Sequence, residues 1–252
     1  MLRVRPIHFT SRMDEWERLL TDLGMVKTAD EATWREFDAG SGRLALHFTG
    51  EGSAEDGTTS FGVEVGDPAE FARRTNEDAA LSGSTRVELI EADHGNSCRV
   101  TSKDGFSFLA DPAVRAADGS WTRSSEADPD LTVVGVWFAE DSTAAAETLR
   151  NIGARPRPVP GTGEAGSGVT EAFSAKNGGV LMVGAGAGPG QAGFGFEYDG
   201  DLETLRARLD EAGHDVAALE DSAVPTLHVA SPDNDGTAVH PPLWISATPP
   251  AE

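Results

Sequence analysis

Apolar positions along the chain keep two rhythms, one of period two and one of three to four, and they alternate in a repeating order. Leu2 to Thr10 reads as a strand, and Met13 to Leu23 carries Trp16, Leu19, Leu20 and Leu23 at helical spacing before Gly24 stops it. Ala32 to Asp38 and Arg43 to Phe48 read as strands, with Ala39-Gly40-Ser41-Gly42 supplying the turn between them. A second unit opens at Thr59 with the strand Ser60-Phe61-Gly62-Val63-Glu64-Val65. Its helix starts at an Asp67 cap with Pro68 in the first position and runs to about Leu81. Three further strands follow, from Thr85 to Ile90, from Ser97 to Ser102, and from Phe106 to Leu109 after the Lys103-Asp104-Gly105 turn.

From Ala113 to Asp130 the periodicity lapses into Ala, Asp, Ser and Arg, as a linker does. The same order then restarts, with a strand from Leu131 to Phe138, a helix from Ser142 to Ile152, and strands from Val169 to Ala175 and from Gly179 to Val183. Phe194-Gly195-Phe196-Glu197-Tyr198 and its helix, with Leu202, Leu205 and Leu209, restate Phe61-Gly62-Val63-Glu64-Val65 and its helix. Val100-Thr101-Ser102 before Asp104-Gly105 matches Val229-Ala230-Ser231 before Asp235-Gly236. The pattern predicts two tandem domains, 1–115 and 130–246, joined by a linker at 116–129. Each domain holds two modules, at about 1–52 and 57–112, then 130–187 and 190–246. The Pro- and Gly-rich stretch from Arg155 to Gly168 is longer than a plain connection needs, and reads either as a lid or as a surface insertion.

The charge narrows the partners. With 42 acidic against 20 basic residues, the formal net charge of -22 repels phosphate backbones and anionic headgroups, so nucleic acid and membrane surfaces are not expected partners. The single cysteine, Cys98, permits no intrachain disulfide and no thiolate cluster, and this suits a reducing cytoplasm. No run resembles a signal peptide or a membrane span, so a soluble, cytoplasmic and unprocessed protein is expected, either monomer or homodimer.

A strand, a helix ending in Leu23-Gly24, a meander of strands, and then the same again closing on Asp-Gly resemble the glyoxalase/bleomycin-resistance/dioxygenase superfamily, also called vicinal oxygen chelate proteins. The resemblance spans nearly the whole chain. It implies an α+β fold of four βαβββ modules, paired into two cup-shaped sheets with helices outside. It also implies that metal-dependent members place His, Gln or Glu ligands on the first and last strands of the modules. Counted from Leu23-Gly24 and Ile152-Gly153, those positions fall near Val4, Ser60, Val133 and Gly193 on first strands, and near Ala45, Leu109, Met182 and His240 on closing strands. Only His240 can ligate a metal, so the usual ion site is expected to be missing and no cofactor is expected.

The remaining candidates concern a small-molecule ligand. His8 lies four residues beyond Val4, and His47 two beyond Ala45. On neighbouring parallel strands both imidazoles would look into one cup, where they would bind a ligand or exchange protons, or they would be separate and partly buried. Trp137 holds in the third module the place of His8 in the first. It and Trp34 serve either as aromatic walls for a planar ligand or as core. His228 and His240, on consecutive strands either side of Pro232-Asp233-Asn234-Asp235-Gly236, form a conceivable metal pair, while His94 and His214 read as surface residues. The leading expectation is a metal-free protein that sequesters or senses a hydrophobic or aromatic compound, using His8, Trp34, His47 and Trp137. The alternative is a lyase, isomerase or dioxygenase-like enzyme using a divalent metal held by residues such as His228 and His240.

Overall fold

The structure is a computed structural model, and it describes residues 2–92, 95–159, 168–187, 190–219, 224–234 and 239–249. The N-terminal half runs β1 (Leu2–Val4), β2 (Ile7–Thr10), α1 (Met13–Asp22), β3 (Val26–Asp30), β4 (Trp34–Asp38) and β5 (Arg43–Phe48). It continues with β6 (Thr59–Ser60), β7 (Gly62–Val65), α2 (Pro68–Ala79), β8 (Thr85–Ala92), β9 (Gly95–Ser102) and β10 (Ser107–Pro112). The C-terminal half runs β11 (Leu131–Ala139), α3 (Ser142–Asn151), β12 (Arg155–Arg157), β13 (Val169–Ser174), β14 (Val180–Ala185) and β15 (Gln191–Tyr198). It ends with α4 (Leu202–Glu211), β16 (Val216–Ala218), β17 (Thr226–Val229) and β18 (Leu243–Ala247). The α+β plan of paired modules is thus present. The short strands β3, β12 and β16, which follow helices, escape the periodicity because they are brief and largely exposed.

The C-terminal half forms one eight-stranded sheet in the order β12-β13-β14-β11-β15-β18-β17-β16. The N-terminal half follows the same plan broken into two five-stranded sheets, β3-β4-β5-β2-β6 and β1-β7-β10-β9-β8. The break falls at Arg5-Pro6 opposite Phe61, where the proline has no N–H to give the ladder. The register passes through it unchanged, from Val4↔Val63 to Ile7↔Ser60, bridged by Arg5 N donating to Gly62 O at 3.0 Å.

The two halves grip each other reciprocally. The turn before β5 places Ser41 on β11, its N donating to Leu131 O at 3.0 Å and its O accepting from Val133 N at 2.8 Å. The turn before β14 places Gly178 on β1, its O accepting from Val4 N at 2.9 Å. Gly42 and Gly179, with φ of +89° and +88°, are required by this fit: a Cβ there would stand 2.9 Å from Val133 Cβ and 2.4 Å from Val4 Cβ. Helices also meet across the halves, α1 near α4 through Arg208 Nη2 donating to Leu23 O at 3.2 Å, and the start of β8 against α3 through Thr85 and Thr148 at 3.1 Å. One apolar cluster therefore takes in residues from all four helices and the helix-side faces of both halves. No helix among the described residues is long and apolar enough to cross a membrane.

The helix-free faces differ between the halves. In the N-terminal half this face is filled by buried charge. Arg5 pairs with Glu36 (2.8 Å) and Asp111, Arg3 pairs with Glu64, and Arg43 pairs with Asp38 (2.7 Å), Glu36 (2.9 Å) and Glu64 (3.4 Å). The segment after β10 closes over it: Thr122 O accepts from Arg3 Nη1 at 2.7 Å, Ser124 N donates to Asp38 at 2.8 Å, and Trp121 lies 5.2 Å from the Arg3 guanidinium. In the C-terminal half the corresponding face carries a small apolar cluster of Val134, Val136, Ala172, Val180 and Met182. The bidentate pair Arg157–Glu197 (2.9 and 3.0 Å) lies beside it. Burial pushes the Glu197 carboxyl above its ordinary range, and the charge and hydrogen bonds of Arg157 offset this only in part.

Candidate functional site

A cavity of about 590 Å³ lies between the halves, where β6 and the first residues of β15 come together. Aromatic rings supply much of its wall: Trp16 and Phe61 from the N-terminal half, Phe106 from the turn before β10, and Phe138, Phe194 and Trp244 from the C-terminal half. The sheet is open here because β15 pairs with β18 only from Phe196 onward, leaving Gln191 to Gly195 without that neighbour. Gly195 allows the Trp244 ring to lie on its backbone, since a Cβ there would stand 2.2 Å from the indole. At the mouth the His240 ring packs on Gly57 in the same way, a Cβ there falling 2.0 Å from the imidazole.

One wall is polar and buried. His8 Nε2 lies 2.8 Å from Asp233 Oδ2, and His8 Nδ1 lies 3.0 Å from Thr59 Oγ1. Asp233 Oδ1 accepts from Thr10 Oγ1 at 2.6 Å and from Trp16 Nε1 at 2.9 Å. Burial raises the Asp233 carboxyl, but hydrogen bonds from His8, Thr10 and Trp16 outweigh it and hold the group below its ordinary range. It is therefore a carboxylate at neutral pH. The His8 ring also meets Trp16 at 4.5 Å and Phe194 at 5.2 Å between centroids. A large apolar pocket with a few convergent polar groups is the usual form of a small-molecule site.

The structure separates the four expected ligand-binding residues. His8 lines the cavity. His47 does not share its face: β2 and β5 are parallel neighbours as expected, but His8 stands opposite Leu46 and Phe9 opposite His47. The two imidazoles therefore point to opposite sides of the sheet, because the register differs by one from the spacing that would align them. Trp34 stands opposite His47, and their rings meet at 5.9 Å on the helix-free face beside Arg5. Trp137 is wholly buried in the helix-side core, stacked on Phe106 at 4.5 Å, and is not the wall of a second cup.

The metal-ligand positions need correction too. Val4 and Val133 are fully buried in the shared core, on the helix side, and the helix-free positions beside them are Arg3, Arg5, Thr132 and Val134. Leu109 pairs with Gly62, and by the matching register the C-terminal equivalent is Trp244, four residues beyond His240. His240 lies outside the strand and lines the cavity, whereas His228 stands opposite Trp244 within the sheet, so the two do not form the pair expected on consecutive strands. His94 lies outside the described residues, as do 160–167 of the expected lid and the Asp235-Gly236 end of the last turn; Arg155 to Arg157 form β12. His214, expected at the surface, is partly buried and bonded to Asp22 at 2.8 Å. Cys98 is buried, and burial together with Asp111 and Asp67 pushes its thiol up to about 11, so it stays protonated.

Sequence reading missed the polar site residues Asp233 and Thr59, and also the aromatic wall of Phe61, Phe106, Phe138, Phe194 and Trp244. Asp233 lies 225 positions from His8, and no periodicity joins a turn to a strand at that range. A trace existed in the internal repeat, which aligns His8 with Trp137 and Thr59 with Ala192 and so marks where the halves stop agreeing.

This arrangement defines a paired-module α+β protein with a cavity between its halves, and its fold is the one seen in solved 2,3-dioxygenases and a glyoxalase. The 2,3-dioxygenase LapB from Pseudomonas sp. KL28 is similar in structure over 98% of this chain and 91% of its own, with TM-score 0.61 at 10% identity. The Mn(II)-bound glyoxalase from Novosphingobium aromaticivorans is similar over 97% of this chain and 80% of its own, with TM-score 0.60 at 11% identity. A variant of homoprotocatechuate 2,3-dioxygenase from B.fuscum is similar over 98% of this chain and 70% of its own, with TM-score 0.59 at 13% identity. Neither the family models nor the curated sequences gave a match.

The residues present do not fit the divalent ion that the fold suggests. On the helix-free faces Arg3, Arg5, Thr132 and Val134 replace the expected Val4 and Val133, and neither they nor Ser60, Gly193, Ala45, Met182, Leu109 and Trp244 offer an imidazole or carboxylate. The carboxylates that do occupy the N-terminal helix-free face are already bonded to Arg3, Arg5 and Arg43. Among the described residues no group of three or more His, Cys, Asp or Glu is placed to hold a metal.

Proposed function

We propose that the chain is a metal-independent small-molecule binding protein that takes an apolar, aromatic compound into the cavity between its halves. The observation that carries this reading is the cavity itself, walled by Trp16, Phe61, Phe106, Phe138, Phe194 and Trp244 and closed on one side by the buried His8–Asp233 pair and the half-buried Thr59. Rings from both halves meet across it, so a planar ligand would gain stacking and edge contacts while displacing water from apolar surface. Arginines occupy the N-terminal face where a cation would otherwise balance the carboxylates, and this supports binding without a metal.

Titration calorimetry with naphthalene and 1-naphthol, on protein treated with a chelator, tests the reading. Binding of 1-naphthol is expected with a Kd below about 1 mM, lost on Ser60→Trp, which fills the cavity from its exposed rim. Heat only in the presence of added divalent metal, or none in any condition, would sink it.

A further inference from the structure

Resting on the reading of the cavity as a ligand site, we infer that Thr59 makes it selective for ligands that present a hydrogen-bond donor, such as a phenolic hydroxyl or an N–H on an aromatic ring. The hydrogens can be placed one by one along a chain of buried groups. Trp16 Nε1 can only donate, so Asp233 Oδ1, 2.9 Å away, accepts from it. Thr10 Oγ1 is already an acceptor, from Arg12 N at 2.9 Å, and its own hydrogen goes to the same Oδ1 at 2.6 Å. Asp233 as a carboxylate has no hydrogen to give. The 2.8 Å contact therefore puts a proton on His8 Nε2, and in that tautomer Nδ1 carries a bare lone pair. That lone pair takes the Thr59 hydroxyl hydrogen across 3.0 Å. Thr59, which lines the cavity, then carries an oxygen whose hydrogen is already committed. It can accept a hydrogen bond but has none left to donate.

The chain is not needed for packing. At the matching place in the C-terminal half, Trp137 replaces His8, Ala192 replaces Thr59 and Ala139 replaces Thr10, and that side is equally buried. A buried polar chain that an apolar set can replace is retained at a cost unless something uses its last atom. Here the chain ends at Thr59, which lines a cavity of about 590 Å³ walled by aromatic rings. The same geometry gives a bound hydroxyl a proton path, from ligand oxygen to Thr59 Oγ1 as the Thr59 hydrogen moves to His8 Nδ1, with the resulting imidazolium held by Asp233.

Fluorescence and calorimetric titration with 1-naphthol and 1-methoxynaphthalene separates the possibilities, since the ether keeps the rings and loses the hydrogen. Wild type is expected to prefer 1-naphthol by about tenfold. Thr59→Val, which keeps the shape of the side chain, should erase the preference, and Thr59→Ser should restore it. Equal binding of both compounds by wild type, or a preference that survives Thr59→Val, overturns the inference while leaving the cavity a binding site. Binding of neither compound overturns both readings.

Discussion

His8 and Trp137 stand at matching positions in the two halves, on strands whose ladders share one register, yet their surroundings are opposite in chemistry. Around His8 are Thr59, Thr10, Trp16 and Asp233, joined by hydrogen bonds. Around Trp137 are Phe106, Phe61 and Phe108, with rings at 4.5, 6.1 and 6.2 Å. Asp233 and Phe106 each reach their partner from the connection between the last two strands of their half. The cross-contacts mirror each other as well, His8 meeting Phe194 of the other half as Trp137 meets Phe61. The two halves thus share their backbone contacts at equivalent positions, one of which is polar and the other apolar. The comparison teaches that shape at this junction is fixed by the repeat, while chemistry is free to diverge.

The strongest way to break the comparison is to remove its polar anchor. Asp233→Ala leaves Trp16 Nε1, the Thr10 hydroxyl and His8 buried without their acceptor, and should cost about 3–5 kcal/mol in urea unfolding. A loss under about 1 kcal/mol would mean that the polar side is not held as described. On the apolar side, Phe106→Ala removes a half-buried ring stacked on Trp137 and should cost roughly 2 kcal/mol, by lost area and a partial cavity.

Dependence on pH sharpens the contrast at smaller scale. Asp233 has a folded-state value below its ordinary 3.8, so its contribution is complete above that value and is lost as pH falls through the lower, folded one. The stability gap between wild type and Asp233→Ala should therefore narrow in acid below about pH 4, while the gap for Phe106→Ala stays level. Denaturation curves at neutral and acidic pH read both gaps, and parallel behaviour would count against Asp233 acting as the carboxylate acceptor for His8, Thr10 and Trp16.

Much of the fold is legible in the sequence. The α1 stripe of Trp16, Leu19 and Leu20 is buried as its spacing requires, the Asp67 cap accepts from Glu70 N at 3.0 Å, and the glycine of the 39–42 turn takes a positive φ at Gly42. The site was legible only in part. His8 could be singled out as a histidine on a core strand, but pairing it with His47 required a register that alternation alone does not give, and a shift of one residue reverses the face.

By itself the sequence determined the order of elements, the duplication, and the scarcity of metal donors on the strands that would carry them, because these depend on residue type and local spacing. Tertiary structure decided that the pocket lies between the halves and not inside either cup, that buried arginine pairs fill the N-terminal face, and that Asp233 reaches His8. The reason is physical: hydrophobic periodicity states which side of a strand is buried, whereas what it is buried against depends on contacts between residues far apart in the chain.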